Sequence, residues 1–118
     1  MQGQVGEFWC ALLNSMQDDR TLADIIEDEK GVTAGYIWVP FHTWENGTFC
    51  AEIQDIYIAT AFRRQGIAGH LLTYAAAKAK ENGAKILRSG TGCGNRAAIK
   101  LHEKAGFGAY RYELEKML

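Results

Sequence analysis

The segment from residue 53 to residue 88 constrains the fold more than any other part of this sequence. An apolar run from Ile53 to Ala59 precedes a loop that contains Gly66, and a strong helical pattern follows from Ile67 to Glu81. Asn82-Gly83 predicts the end of that helix, and Ala84 to Arg88 is typical of a strand. Two strands joined through a helix are expected to lie parallel in a right-handed crossover. The sequence therefore predicts a β-α-β unit in a mixed α/β sheet.

The loop that opens this helix has the composition of an anion site. The first N–H groups of a helix lack intrahelical partners, and the helix dipole adds partial positive charge. Arg63 and Arg64 add full charges, and Gly66 has no Cβ to block a ligand's approach. Such a site suits a phosphate or a pyrophosphate. The alternative is an ordinary strand-to-helix turn with two solvated arginines.

The residues before this unit predict one helix and three strands. Apolar residues at helical spacing predict an amphipathic helix over Val5 to Gln17. Thr21 to Glu27 and Val32 to Val39 are expected to be strands, with Pro40 ending the second or placing it near an edge. Asn46-Gly47 predicts a hairpin that makes the next strand, residues 49–58, antiparallel.

Within residues 49–58 the polar pattern loses its alternation. Ile53 and Ile56 are apolar, but Gln54 and Asp55 lie between them. This slip of phase indicates either a β-bulge or a strand that is covered on both faces.

The residues after the unit predict a second helix and a last strand. Asn95 is a suitable N-cap, Gly106 suits the left-handed position after the helix, and Phe107 is expected to return to the core. Tyr110 to Met117 alternates like a strand. The order α, β, β, β, α, β, α, β predicts a single domain over residues 1–118, a mixed sheet with helices on both faces.

Composition excludes several classes of function. A formal net charge of -1 and only a small basic spot argue against nucleic-acid binding. The odd cysteine count (Cys10, Cys50, Cys93) favours free thiols in a reducing compartment, and the three scattered histidines predict no metal site. Without a signal-peptide pattern or a long apolar run, we expect a cytoplasmic protein with no membrane contact.

Three stretches together resemble the GNAT superfamily of N-acetyltransferases. Residues 56–68 (IYIATAFRRQGIA) are similar to the family's strand-loop-helix segment with its Q/R-x-x-G-x-G/A signature. Residues 95–107 (NRAAIKLHEKAGF) are similar to its N-x-x-A-x-x-x-Y-x-x-x-G-F helix, and residues 112–118 to its closing strand. The match is good over residues 31–118 and loose before them. The resemblance implies a GNAT-like fold that lacks the usual first strand.

The resemblance also implies acetyl-coenzyme A (acetyl-CoA) as the cofactor. The pyrophosphate of coenzyme A would bind the N–H groups at the helix start, the pantetheine arm would run along the preceding strand like an added strand, and an N–H near Ile58 would polarise the thioester carbonyl. Asn95 would reach the pantetheine from the other wall, although a plain helix cap is compatible with that role. The implied cofactor-binding residues are Ile56, Tyr57, Ile58, Arg63, Arg64, Gln65, Gly66, Ile67, Ala68, Gly69 and Asn95.

Two positions are candidates for acid–base catalysis by this resemblance. His102 stands where the family has a tyrosine that protonates the departing thiolate, and histidine can donate a proton near neutral pH. The alternative is that His102 packs on the helix's apolar face. Glu52 matches the family's general base, and the alternative is a solvated strand carboxylate; Asp55 is a weaker candidate for the base.

The expected activity is transfer of an acetyl group from acetyl-CoA to a primary amine by direct attack. The alternative is a catalytically weak acyl-CoA-binding or protein-interaction module on the same fold. The acceptor is a small-molecule or peptide amine of unspecified type, and Trp38, His42 and Trp44 could line its site. A missing first strand would leave Thr21 to Glu27 as an open sheet edge, so a homodimer is expected.

Overall fold

The described residues of the protein form one seven-stranded sheet. The computed structural model describes the backbone of residues 2–5, 8–12 and 21–118, and the side chains of residues 21–118. The strands are β1 (Gln2–Val5), β2 (Phe8–Leu12), β3 (Thr21–Glu27), β4 (Thr33–Thr43), β5 (Phe49–Glu52), β6 (Asp55–Ile58) and β7 (Ile86–Arg88). They are ordered β1-β2-β3-β4-β5-β7, and β6 continues the line of β5 along β4. This mixed sheet confirms the predicted fold class.

The predicted β-α-β unit is present. Helix α1 (Ile67–Glu81) follows β6 and leads into β7, which pairs in parallel with β5 from Ile86 opposite Cys50 to Arg88 opposite Glu52. The helix ends at the predicted Asn82-Gly83, where the glycine has a φ of 91°. The remaining strand pairs are antiparallel, including the hairpin that Asn46-Gly47 closes between β4 and β5.

One face of the sheet forms the core with α1. Ile37, Val39 and Ala51 are fully buried there, and they pack with Leu71 and Leu72 of the helix. This is the apolar stripe that the sequence predicts for α1, and burying it drives the helix onto the sheet. Asp24 lies in the same layer, 2% exposed, and accepts a hydrogen bond from the Tyr74 hydroxyl at 2.7 Å.

Both helices lie on this one face. Helix α2 (Arg96–Lys104) places Leu101 against the same core cluster as α1. On the outer face, by which we mean the side of the sheet away from α1, Tyr36, Trp38 and Tyr57 are 37%, 36% and 44% exposed. Helices on both faces were predicted, but within the described residues no helix covers the outer face.

The N-terminal helix prediction is wrong where the structure describes the chain. Val5 belongs to β1, and Phe8–Leu12 form β2, which pairs with both β1 and β3. The rest of the predicted Val5–Gln17 helix lies outside the described residues. The expectation of a missing first strand is corrected by the same finding. Since β3 has β2 on one side and β4 on the other, it is not an open edge, and the argument for a dimer loses its basis.

A β-bulge interrupts the strand predicted over residues 49–58. Phe41 faces Ala51, and in unbroken register Trp38 would face Gln54, but it faces Asp55 instead. One extra residue has therefore been inserted, as the slip of polar phase indicates. Pro40 lies within β4 opposite this break, where the absence of a backbone N–H costs little.

The C-terminal strand prediction is wrong, while the second helix is confirmed. The Asn95 side chain caps α2 by accepting from the Ala98 N–H at 3.1 Å, Gly106 has a φ of 92°, and Phe107 packs on the core. Residues 110–117 form no strand. Alternation can select a face, but a strand also needs a partner, and residues 110–117 pair with no described strand.

Candidate active site

The sheet opens into a cleft where the bulge separates β6 from β7. The last bond across it is from the Ile53 N–H to the Arg88 carbonyl, at 2.8 Å. Beyond this point β6 pairs only with β4 among the described strands. The cleft is therefore a direct consequence of the one-residue insertion.

The cleft edge of β6 presents backbone polar groups. The Ala59 N–H donates to the Ala34 carbonyl at 2.7 Å, which identifies that pair as hydrogen-bonded. In an antiparallel ladder such pairs alternate, so Tyr57 also bonds towards β4. Ile56 and Ile58 then direct their N–H and C=O groups away from β4, into the cleft.

The start of α1 lies beside this edge of β6. Gly66, with a φ of 77°, occupies the N-cap position, and the first helical bond runs from the His70 N–H to the Gly66 carbonyl. No side chain among residues 21–118 caps the helix, and its first turn holds no acidic residue. The N–H groups of residues 67–69 therefore form a site for an anion.

The two arginines of the loop differ in their environments. The Arg63 Nε donates to the Ile58 carbonyl at 2.9 Å, and its guanidinium lies 5.8 Å from the Tyr57 ring centre. Arg64 is exposed, and its φ of 65° makes it the one described non-glycine residue in the left-handed region. Arg63 thus joins the loop to the sheet edge, and Arg64 is directed to solvent.

A surface cavity of about 360 Å³ joins the helix start to β6. It brings together seven of the predicted cofactor-binding residues: Ile58, Arg63, Arg64, Gly66, Ile67, Ala68 and Gly69. Four residues that sequence reasoning missed also line it: Phe62, Ala97, Ala98 and Leu101. The last three belong to α2. Their helical spacing is visible in the sequence, but the sequence does not show that α2 packs beside α1.

Four predicted cofactor residues do not line this cavity. Ile56 borders the cleft farther along β6, and the Tyr57 side chain lies on the outer face against Tyr36, with ring centres 5.7 Å apart. The Gln65 amide donates to the Ala61 carbonyl at 3.5 Å. Asn95 uses its side-chain oxygen as the α2 cap.

His102 lies in α2 beside the end of β7. Its Nδ1 is 2.7 Å from the Ala98 carbonyl, and its Nε2 is 2.8 Å from the Ser89 hydroxyl. Phe107 meets the ring edge-on, with centres 5.1 Å apart. The ring is therefore both packed and hydrogen-bonded through its two nitrogens.

Glu52 ends β5 directly before the bulge. Since Glu52 pairs with Arg88 and successive side chains alternate, Glu52 faces outward whereas Ser89 faces the helices. The Glu52 carboxylate lies 3.7 Å from His42 Nε2, and both side chains are 43% exposed. Asp55 instead accepts from the Tyr36 hydroxyl at 2.8 Å, and that hydrogen bond raises the pKa of the tyrosine.

The residues suggested for the acceptor site lie around Glu52. Trp38 and His42 share its outer face by their positions in β4. Trp44 stacks on Arg88, whose guanidinium lies 3.8 Å from the Trp44 ring centre and 4.2 Å from that of Tyr110. This stack also ties the C-terminal segment to the hairpin.

Of the three cysteines, Cys50 is a buried free thiol and Cys93 an exposed one, and the side chain of Cys10 lies outside the described residues. Within the described part of the chain, no three His, Cys, Asp or Glu side chains form a group that could hold a metal. None of the described helices has the length and apolarity needed to cross a membrane.

Comparisons with known proteins agree with this architecture. The model of the acetyltransferase (GNAT) family matches residues 4–107. A putative acetyl transferase from Pyrococcus furiosus superimposes with a TM-score of 0.75 at 27% identity, covering 88% of this chain and 68% of that one. A transcriptional regulator from Bacillus halodurans C-125 gives 0.75 at 24% identity, covering 86% and 69%. AAC(6')-Iy, in complex with the bisubstrate analog CoA-S-monomethyl-acetylneamine, gives 0.72 at 22% identity, covering 87% and 73%.

A comparison with curated protein sequences finds no match. The fold and the family model nevertheless define the class, an acyl-transferring protein of the acetyltransferase type. The chain belongs to the GNAT acetyltransferase family.

Proposed function

We propose that the protein transfers an acetyl group from acetyl-CoA to a primary amine by direct attack. One observation carries this proposal: the edge of β6 that no described strand pairs with and the start of α1 that no described side chain caps border the same cavity. A ligand that combines a diphosphate with an amide-containing arm would use both. The bisubstrate analog bound to AAC(6')-Iy is built on CoA, which supports the same donor here.

The N–H groups of residues 67–69 would hold the diphosphate, and Arg64 would add charge from the loop. Gly66 is suited to the approach, since a Cβ built there would meet nothing within 4 Å. The cleft-facing N–H and C=O groups of Ile56 and the N–H of Ile58 would pair with the pantetheine amides as a strand does. The Ile58 carbonyl is already engaged by Arg63, so pairing would end there.

The chemistry follows from the two sides of the cleft. A backbone N–H near Ile58 would polarise the thioester carbonyl and stabilise the negative charge that develops on its oxygen. Glu52 on the outer face would take a proton from the amine, directly or through water, because only the neutral amine attacks. At neutral pH about one lysine-like amine in 10³ is neutral. The proton that the departing thiolate takes would come from the helix face, where His102 lies.

The amine acceptor would reach the cleft from the outer face of the sheet. Trp38, His42 and Glu52 lie there, and no described helix covers them. The cytoplasmic location and the homodimer stay predictions, as does the absence of nucleic-acid and membrane partners.

The test is turnover on a panel of amines. Purified protein, acetyl-CoA and polyamine, amino acid, aminoglycoside and peptide amines are incubated, and the acetylated product is followed by mass spectrometry. Product detection avoids the background that the exposed Cys93 would give in a thiol-colour assay. Acetyl-CoA binding without any product would instead favour the binding module.

A further inference from the structure

The His102 ring has no free nitrogen with which to reach a ligand. The Ala98 carbonyl can only accept, so Nδ1 carries a hydrogen in the 2.7 Å bond. In the neutral ring Nε2 then accepts from the Ser89 hydroxyl at 2.8 Å. A direct proton transfer from this imidazole to a thiolate would have to break one of these bonds.

Ser89 stands at the point where the cleft opens. It follows Arg88, whose carbonyl takes the last bond across the cleft from Ile53. Its side chain is directed to the helix face, as its bond to His102 shows. Ala98 and Leu101, which flank His102 on α2, line the cavity. The Ser89 hydroxyl and the imidazole therefore lie together on the helix side of the sheet, one residue after the last bond across the cleft.

We infer that Ser89 is the group that protonates the departing thiolate, and that His102 is a positioning residue that resupplies the Ser89 proton. This inference rests on the proposed function. As the amine nitrogen bonds to the acetyl carbon, the C–S bond breaks and its electron pair goes to sulfur. The thiolate takes the Ser89 Oγ proton, and Oγ takes the Nε2 proton of the protonated imidazole. The ring is left neutral with its hydrogen on Nδ1, and solvent reprotonates it. The proton that the new amide nitrogen loses goes to Glu52 or water.

The test uses a matched pair of side chains at one position. Ser89→Thr keeps a hydroxyl and Ser89→Val has the same shape without one. We expect Ser89→Ala and Ser89→Val to lower kcat by about 10²-fold, the usual contribution of a general acid. Ser89→Thr should restore most of the turnover, and KM for acetyl-CoA should stay unchanged in all three. Thermal unfolding of the Thr and Val variants provides the check on folding.

A second measurement separates a relay from a structural tie. His102→Gln can still hydrogen-bond to Ser89 but cannot supply a proton. If the two residues act as a unit, the double variant Ser89→Ala/His102→Gln should be no slower than the slower single variant. Losses that multiply would overturn the inference, and so would equal turnover of the Thr and Val variants. A wild-type protein with no product on any amine would instead refute the proposed function, and the relay with it.

Discussion

The substitution Ala68→Glu should have opposite effects on the stability of α1 and on the affinity of its N-terminus for an anion. Ala68 lies in the uncapped first turn of the helix and lines the cavity. In the free protein a glutamate there interacts favourably with the helix dipole, by about 0.3–1 kcal/mol. With a diphosphate on the same N–H groups, the added charge is repulsive. Ala68→Glu should therefore be a slightly more stable protein that binds the donor more weakly.

The size of the loss follows from Coulomb's law. Two like charges about 6 Å apart repel by about 0.7 kcal/mol in water and by about 3 kcal/mol at an effective dielectric constant of 20. A diphosphate with about two negative charges doubles these values, to roughly 1.5–6 kcal/mol. Since 1.4 kcal/mol is tenfold in affinity, Kd for acetyl-CoA should rise by at least about tenfold.

The assay is calorimetric titration of acetyl-CoA into both Ala68→Glu and Ala68→Gln. Glutamine has the shape of glutamate without its charge, so the difference between the two variants isolates electrostatics. That difference should shrink in 1 M salt, where the screening length falls to about 3 Å. Equal Kd values for the two variants at low salt would refute the diphosphate placement. Gly66 is a poorer target, because its φ of 77° strains any substitution whether or not a ligand binds.

Two further predictions concern stability. Burial raises the pKa of Asp24 above 3.8, so the folded state keeps that proton longer than the unfolded state and loses stability as pH rises through the window between the two pKa values. The free energy of unfolding of Asp24→Asn should equal that of the wild type below this pH window. Above the window it should be larger by about 1.4 kcal/mol for each unit by which the pKa is displaced, as measured by urea unfolding across pH. A Cβ at Gly35 would overlap the Tyr57 carbonyl of β6, so Gly35→Ala should lower the free energy of unfolding by about 1–3 kcal/mol. Gly90→Ala, where a Cβ meets nothing within 4 Å, is the matched control.

The outcomes that contradict these two predictions are distinct. An Asp24→Asn variant that is less stable than wild type at pH 7 would show that the charged carboxylate stabilises the fold. Equal unfolding free energies for the Gly35 and Gly90 variants would show that β4 and β6 can separate without cost.

The central unit was predictable because its signals are local. The bounds of α1, its glycine start, the α2 cap at Asn95 and the bulge near Gln54 are each determined by residues close in sequence. Because backbone conformation at such positions depends on the residues nearby, the sequence pattern is sufficient to predict it. The position of the cavity could be predicted as well, because a strand, a loop and a helix in that order place the helix start beside the strand edge.

The errors fall where the outcome depends on distant partners. The helical spacing of Val5, Phe8 and Leu12 is also compatible with two strands, and β3 provides the edge with which β2 pairs. Tyr110 to Met117 alternates well but finds no strand partner, and Leu114 is 92% exposed. Ser89 carries no sequence signal at all, since only the fold brings it to His102.

The proposed donor site consists largely of main-chain atoms, namely the amides of residues 67–69 and the edge of β6 that no described strand pairs with. Such a site does not depend on which side chains surround it. Substitutions on the outer face, around Trp38 and Glu52, can then change which amine is accepted and leave the handling of the acyl donor intact. Acceptor preference and donor preference would thus be separable traits of this small protein, each open to redesign without the other.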